Sequence, residues 1–115
     1  MHELRVITRI TNISNIAEFK KLFREASLIA ESEQGTLQYE SYVDEERKAC
    51  THLETFRNSD AVEIHVNNVA GILQEIVKIC DLEFEVLGES DEKIILLAEQ
   101  FGARIVPYFG GVRLS

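Results

Sequence analysis

The chain of 115 residues has the length of one domain, and its 45% apolar and 28% charged residues are typical of a folded globular protein. Its formal net charge of -8 argues against binding to nucleic acid or to an anionic membrane surface, because both require a basic face. The sequence has no apolar run near the roughly 20 residues that would span a bilayer and no signal-peptide core. We therefore expect a cytoplasmic protein.

The first two predicted elements are a strand and a helix. Residues Leu4 to Ile10 alternate in polarity and are rich in branched side chains, which predicts a strand. Asn15 and Glu18 have the spacing of a capping box, which predicts that a helix begins here. Gly35 is expected to end it. The apolar stripe of this helix consists of Phe19, Leu22, Phe23, Ala26, Ile29 and Ala30.

Two alternating segments then predict an antiparallel hairpin. They are Thr36 to Val43 and Lys48 to Phe56, and a short polar tip joins them. On the second segment, His52 and Glu54 share a face with Phe56, because strand residues two apart point the same way. Which face is buried stays ambiguous, since both faces carry aromatic and polar groups.

The next predicted helix follows a cluster of cap residues. The run Asn58-Ser59-Asp60 supplies them, and Asp60 with Glu63 again has capping-box spacing. The helix carries His65. We expect Asn67-Asn68 to interrupt it before a second helical run.

A strand, a helix and a further strand complete the chain. Leu82 to Leu87 alternates with a period of two, which predicts a strand. Ser90 is expected to cap the helix, and Gly102 to end it. Arg104 to Tyr108 predicts a last strand, and Pro107 within it indicates an edge rather than a central position.

The order of elements predicts an α+β fold. The first six follow the ferredoxin-like β-α-β-β-α-β pattern, over a core of about residues 4–87, and an extra C-terminal α-β arm covers about residues 88–115. We therefore predict one domain, residues 1–115. Its four-stranded sheet has helices on one face, so the other face is left bare and a homodimer is expected. The arm either covers an exposed edge of the sheet or reaches across to the partner.

Two histidines are candidates for chemistry because imidazole titrates near neutral pH. His65 is either a partly buried helix residue hydrogen-bonded to backbone or a base in a pocket. His52 lies beside Glu54 on its strand, as an oriented base or as half of a structural hydrogen bond.

The remaining polar and sulfur-containing residues receive simpler interpretations. The phenols of Tyr39, Tyr42 and Tyr108 either fill the core or present a hydroxyl to a ligand. Cys50 and Cys80 are isolated, so we expect both to be reduced. Five carboxylates are expected to be solvated: Glu31, Glu33, Asp44, Glu45 and Glu46.

The sequence predicts neither a metal nor a cofactor. His52 and His65 show no convergent third ligand and no metal-motif spacing. The glycine-rich phosphate loop, the nucleophile elbow and the dinucleotide fingerprint are all missing from the sequence.

The segments from Gly35 to Glu40 and from His52 to Ala61, followed by His65, resemble the antibiotic-biosynthesis-monooxygenase family. That family has a glycine and a tyrosine in the second strand and a Glu-x-aromatic pair at the end of the third. A short polar turn, an alanine and a helix histidine follow. The resemblance covers most of residues 4–87.

The resemblance implies a dimeric α/β barrel with a small-molecule pocket between each sheet and its helices. The family includes cofactor-independent oxygenases of phenols and quinols, haem-degrading oxygenases and isomerases. In the first group a phenolate is thought to react with dioxygen directly. By resemblance His65 is the base or polar anchor, Tyr39 a hydrogen-bonding wall and Phe56 an apolar platform. His52 is the third catalytic candidate, and the substrate contacts are expected to be Phe56, Glu54, Tyr108 and Thr8.

Two departures from the haem-degrading branch argue against haem. That branch has an asparagine where this chain has Thr8, and a tryptophan where it has Phe56. The expected function is thus a cofactor-independent monooxygenase of a small aromatic substrate. The alternatives are a non-catalytic, stress-related small-molecule-binding dimer and, third, an isomerase or lyase that transfers protons with the same His and Tyr.

Overall fold

The computed structural model describes residues 3–114, which form eight helices and strands. In chain order they are β1 (Leu4–Thr11), α1 (Ile16–Glu31), β2 (Thr36–Asp44), β3 (Ala49–Phe56), α2 (Ser59–Ile76), β4 (Asp81–Leu87), α3 (Glu92–Phe101) and β5 (Arg104–Val106). The strands form one sheet in the order β2-β3-β1-β4-β5. The pairs β2–β3, β3–β1 and β1–β4 are antiparallel, and β5 is parallel to β4. This confirms the predicted ferredoxin-like core with its α-β arm.

The C-terminal arm closes one edge of the core sheet. α3 returns the chain so that Ile105 of β5 pairs with Val86 of β4. Gly102 ends α3 in the left-handed conformation, with φ 65°, as its position predicted. The last strand is shorter than predicted and stops at Val106. Pro107 has no backbone N–H to continue the ladder, so Tyr108 lies beyond the sheet.

α2 is one continuous helix, and the predicted interruption at Asn67-Asn68 is wrong. The Asn68 amide donates a 2.8 Å hydrogen bond to Glu33 Oε2, and the next residue, Val69, is buried. These tertiary contacts outweigh the modest cost of asparagine in a helix. No helix among residues 3–114 is long and apolar enough to cross a membrane.

The helix caps agree with the sequence at α1 and α2 and differ at α3. Asn15 caps α1 through its side-chain oxygen, as predicted. α2 is capped by Asn58, the first residue of the predicted run of cap residues, whereas α3 is capped by Asp91 rather than Ser90. Each of these side chains accepts from the backbone N–H three residues on, which is the geometry of an N-cap.

Buried apolar side chains form two clusters, with a polar band between them. One cluster, under α2 and α3, comprises Leu4, Val6, Phe56, Ala61, Val62, Val86 and Ile94. The other, under α1, comprises Ile10, Ile13, Phe19 and Cys50. Between the two clusters lie Thr8 on β1 and both His52 and Glu54 on β3. All three side chains are buried. The interior is therefore polar at the middle of the sheet.

Gly35 serves close packing and does not end α1, which already stops at Glu31. A Cβ at position 35 would collide with the Cβ of Ala61 on α2. We expect Gly35→Ala to lower the free energy of unfolding by about 1–3 kcal/mol, as overpacking does, in denaturant titrations. The control is Gly71→Ala within α2, where a Cβ meets nothing within 4 Å. It should stabilise the protein by about 0.5–1 kcal/mol; equal effects would contradict this role of Gly35.

Candidate functional site

A cavity of about 140 Å³ lies between the sheet and the three helices, at the level of the polar band. Most of its wall is aliphatic or aromatic. Six of the seven side chains predicted for a site line it: Thr8, Tyr39, His52, Glu54, Phe56 and His65. The seventh, Tyr108, is 64% exposed beyond β5 and donates to the carbonyl of Gly111. The structure therefore does not bring Tyr108 to the cavity, and Tyr42 also lies elsewhere, 61% exposed.

The register of the strands places the polar side chains in rows across the sheet. Thr8 of β1 pairs with His52 of β3 on one side and with Phe84 of β4 on the other. A register shift between Thr36 and Gln38 inserts one extra residue into β2. Because of this bulge, Tyr39 pairs with Glu54 and joins the cavity wall. The same shift leaves Leu37 exposed.

Glu33 anchors His65 and is the residue that sequence reasoning missed. Its Oε1 lies 2.8 Å from His65 Nδ1, and its two oxygens also accept hydrogen bonds from Thr36 and Asn68. Its side chain is only 5% exposed, so the prediction of a solvated carboxylate is wrong. No local pattern indicates this role, because the turn after α1 meets α2 only in the folded chain.

The charge of Glu33 determines the tautomer of His65. Burial acts to raise the pKa of Glu33, but hydrogen bonds from Asn68, Thr36 and His65 outweigh it and the pKa lies below its usual value. Glu33 is therefore a carboxylate at neutral pH. A carboxylate only accepts, so His65 Nδ1 carries the hydrogen and Nε2 of the neutral ring is a lone pair.

His52 has the same tautomer for a similar reason. Its Nδ1 lies 3.0 Å from the backbone carbonyl oxygen of Glu40, which only accepts, so Nδ1 is the donor. Ser41 Oγ lies 2.9 Å from the same nitrogen. His52 Nε2 therefore carries a lone pair that can accept a hydrogen bond. Among residues 3–114, neither Nε2 nor the neighbouring Thr8 Oγ1 has a hydrogen-bond partner, although both atoms are buried.

Glu54 lies between the two imidazole rings. Its Oε1 is 3.4 Å from His65 Nε2 and its Oε2 is 3.5 Å from His52 Nε2. Both distances exceed a good hydrogen bond, but a short movement of the carboxyl group would close either. Glu54 is therefore positioned to exchange a proton with each ring.

Burial determines where that proton resides. Desolvation, with a smaller effect from the Glu33 charge, raises the pKa of Glu54 to about 8. Desolvation also lowers the pKa of His52 to about 4 and lowers the pKa of His65. At neutral pH Glu54 is thus a neutral acid that faces two neutral imidazoles.

Tyr39 supplies an aromatic wall and a hydroxyl that stays protonated. Its ring stacks on Phe23 at 5.6 Å and meets His52 edge-on at 4.4 Å and His65 at 5.0 Å. Burial raises the pKa of Tyr39 well above its ordinary value, and so does repulsion from Glu33 and from Glu54, which is itself ionised at the alkaline pH where a tyrosine would titrate. The phenol can therefore donate a hydrogen bond, but it does not serve as a base.

The site has the composition of an acid–base centre. Among the residues that the structure describes, no group of three or more His, Cys, Asp or Glu side chains is arranged to hold a metal ion. Cys50 and Cys80 are both free thiols. The arrangement can accept a proton at His52, donate one from Glu54 and stabilise a positive charge on His65 through Glu33.

Comparison with known proteins identifies the fold. No family model and no curated protein matches the chain, but solved structures do. MupZ from Pseudomonas fluorescens aligns with a TM-score of 0.80 at 13% identity, over 99% of this chain and 96% of that one. SnoaB, a cofactor-independent oxygenase from Streptomyces nogalater, aligns with a TM-score of 0.69 at 12% identity, over 79% and 96%. The chain has the ferredoxin-like α+β fold of these proteins.

The resemblance noted for the segment between Gly35 and His65 implied a fold of this kind, and the structural neighbours confirm the fold. Rv0793 from Mycobacterium tuberculosis adds a further match, with a TM-score of 0.69 at 17% identity over 79% of this chain and 98% of that one. The MupZ alignment spans almost the whole chain, so it includes the C-terminal arm. The arm is therefore a feature that this chain shares with another member of the fold.

Proposed function

We propose that the protein is a cofactor-independent monooxygenase of small phenols or quinols, with His52 Nε2 as the base. One observation carries this proposal: His52 Nε2 and Thr8 Oγ1 are buried and make no hydrogen bond to any described residue, and they belong to two paired strand residues that both line the cavity. Buried polar atoms without partners are uncommon, because each costs free energy. A phenol satisfies both atoms at once, since its O–H donates to Nε2 while its oxygen accepts from the Thr8 hydroxyl.

Burial lowers the pKa of His52 to about 4, so proton removal by this ring depends on a counter-ion that forms beside it. When Nε2 takes the phenolic proton, Glu54 can pass its own proton to His65 Nε2 and become the counter-ion of His52. The positive charge on His65 is then stabilised by Glu33, 2.8 Å from its other nitrogen. The buried site thus gains charges in alternating order, which limits the cost of ionisation in an apolar cavity.

The phenolate is the electron-rich species of the reaction. By resemblance to the cofactor-independent oxygenases, dioxygen reacts with it directly, and the protein contributes a base and a shaped cavity. One oxygen atom forms a C–O bond, the other leaves as water with two hydrogens and two electrons of the substrate, and the product is a quinone. The fold of SnoaB, a cofactor-independent oxygenase, supports this assignment. The aromatic rings of Tyr39 and Phe56 would hold the substrate ring in place.

Oxygen uptake tests the proposal. We expect wild-type protein to consume oxygen with members of a panel of phenols and hydroquinones, above the rate of buffer alone. In Thr8→Val the binding hydroxyl is lost, so KM should rise while the free energy of unfolding increases by about 1–2 kcal/mol, because an unpartnered buried hydroxyl is removed. Binding of these compounds without oxygen uptake would reject the oxygenase and favour the non-catalytic alternative.

An isomerase is the second candidate, and one observation favours it. Glu54 is a buried carboxylic acid between two bases, and an oxygenase that needs only a base does not require this donor. A residue pair that both removes and returns a proton is what an isomerase uses. Solvent deuterium incorporated into a recovered phenol or enone without oxygen uptake would support this candidate.

A homodimer is also part of the proposal. The resemblance implies it, and the helices cover only the sheet face that bears the cavity. On the other face, Ile7 and Leu53 pair at the centre of the sheet. We expect wild-type protein to sediment as a dimer and Leu53→Arg as a monomer. Leu28→Arg, at a 69% exposed position on α1, is the matched control and should stay dimeric; a monomeric wild type at micromolar concentration would contradict the dimer.

A further inference from the structure

The C-terminal arm forms part of the cavity wall, although it lies outside the ferredoxin-like core. Four residues of α3 and the residue that leads into β5 line the cavity: Ile94, Leu97, Ala98, Phe101 and Ala103. Ile94 and Ala98 are buried. The arm therefore limits the size of whatever the cavity binds.

A groove open to solvent lies beside the cavity. It has a volume of about 620 Å³ and lies between α2, α3 and the start of β4. Five residues line both spaces: Val66, Leu73, Leu82, Phe84 and Phe101. The rings of Phe84 and Phe101 meet edge-on at 6.0 Å on this boundary. The two spaces therefore meet along these apolar side chains.

The volume of the cavity limits the substrate to one ring. A cavity of about 150 Å³ with apolar walls binds benzene, and this cavity has about 140 Å³. His52, Thr8 and Phe84 lie in one row on three adjacent strands. Neighbouring strands are about 5 Å apart, so this row is about 10 Å long. A single ring whose hydroxyl contacts His52 therefore directs its opposite carbon toward Phe84 and the groove.

The groove is suited to a neutral, polar chain. Its polar side chains include Gln74 and Gln100, which can donate and accept hydrogen bonds. The charged residue in its lining is Asp81, an acid whose carboxylate accepts from Asn12 at 2.7 Å. A carboxylate on the ligand would be repelled here, whereas an amide or an ester would not.

We propose that the substrate is a single-ring phenol with a neutral polar substituent at the para position, its ring in the cavity and its substituent in the groove. This inference rests on the proposed function, because it places the phenolic hydroxyl at Thr8 and His52. The arm of the chain, through Phe101 and Gln100, then selects the substituent, while the core residues contact the hydroxyl.

Calorimetric titration of the full chain tests the inference with four probes: phenol, 3-(4-hydroxyphenyl)propanamide, the corresponding propanoate and 2-naphthol. We expect the amide to bind about 10-fold more tightly than phenol, the gain of one or two hydrogen bonds. The propanoate and the two-ring 2-naphthol should both bind less tightly than the amide. Gln100→Ala should lower the affinity for the amide and leave that for phenol unchanged, and Gln34→Ala, at an exposed position outside the groove, is the control.

Asp81→Asn should raise the affinity for the propanoate. Equal affinities for phenol and the amide, or an amide advantage that survives Gln100→Ala, would overturn the inference and leave the oxygenase proposal intact. Amide-selective binding without oxygen uptake would reject the oxygenase and keep the inference. If none of the four probes binds, both are overturned.

Discussion

Replacement of His52 by asparagine is expected to lower the oxygen-uptake rate by about 100-fold or more, the usual contribution of a general base. The asparagine amide can occupy the position of Nδ1 and still donate to the Glu40 carbonyl, so the backbone contact of β2 is kept. Only the Nε2 lone pair is lost. The measurement is kcat for oxygen consumption with the best phenol of the panel, together with the Kd for that phenol.

The matched variant is His65→Asn, which can still donate to Glu33. His65 receives its proton through Glu54, so this variant should lose less activity than His52→Asn. A full loss in His65→Asn with a normal rate in His52→Asn would reverse the two roles. Equal rates in all three proteins would exclude both histidines as the base.

The second large effect is a fall in stability as the pH rises from 6.5 to 8. Glu54 has a usual pKa of 4.5, raised by burial to about 8 in the folded protein. The folded state therefore holds a proton that the unfolded state has released, so stability decreases as pH increases through this range. At about 1.4 kcal/mol per pH unit, the free energy of unfolding should fall by about 2 kcal/mol. Urea titrations at four pH values across the range measure it.

The other shifted groups act in different pH ranges. The pKa of His52 is lowered from 6.5 to about 4, so between these values the unfolded state binds more protons than the folded state. The free energy of unfolding therefore falls as the pH drops from 6.5 to 4, and His52 adds no slope above pH 6.5. Burial raises the pKa of Cys80 from 9.0 to about 11, so Cys80 lowers the free energy of unfolding only as the pH rises above about 9. We expect Glu54→Gln to abolish the slope between pH 6.5 and 8, and Glu83→Gln, an exposed residue of β4, to retain it. The same slope in wild type and Glu54→Gln would contradict the assignment.

Sequence patterns predicted the elements of the fold because those patterns are local. Alternation along Leu4–Ile10 and the capping role of Asn15 depend on neighbours in the chain, and the structure confirms the strand and the cap. The predictions failed where a distant contact outweighed the local one. Asn68 continues α2 because it bonds Glu33, which is 35 residues away in the chain. Gly35 meets Ala61 and so is needed for packing rather than for ending a helix.

In the candidate site, too, local patterns predicted some features and distant contacts decided the others. Residue types and spacing indicated His52, Glu54 and His65 as candidates, with the first two on one strand face. The spacing did not indicate that both imidazoles face one carboxyl group, or that Glu33 is buried behind His65. It also did not show that Tyr108 lies away from the cavity. Such relations depend on the register of β2, β3 and α2, and no local signal carries them.

The sequence alone determined the α+β class and the β-α-β-β-α-β order, because hydrophobic period and turn residues act over a few positions. The resemblance to the antibiotic-biosynthesis-monooxygenase family also came from the sequence, through the motif residues between Gly35 and His65. Tertiary structure alone decided which face of the hairpin is buried, and thereby placed Thr8, His52 and Glu54 between two apolar clusters. The physical reason is desolvation. The same side chains on an exposed face would titrate normally, whereas burial raises the pKa of Glu54 and lowers that of His52.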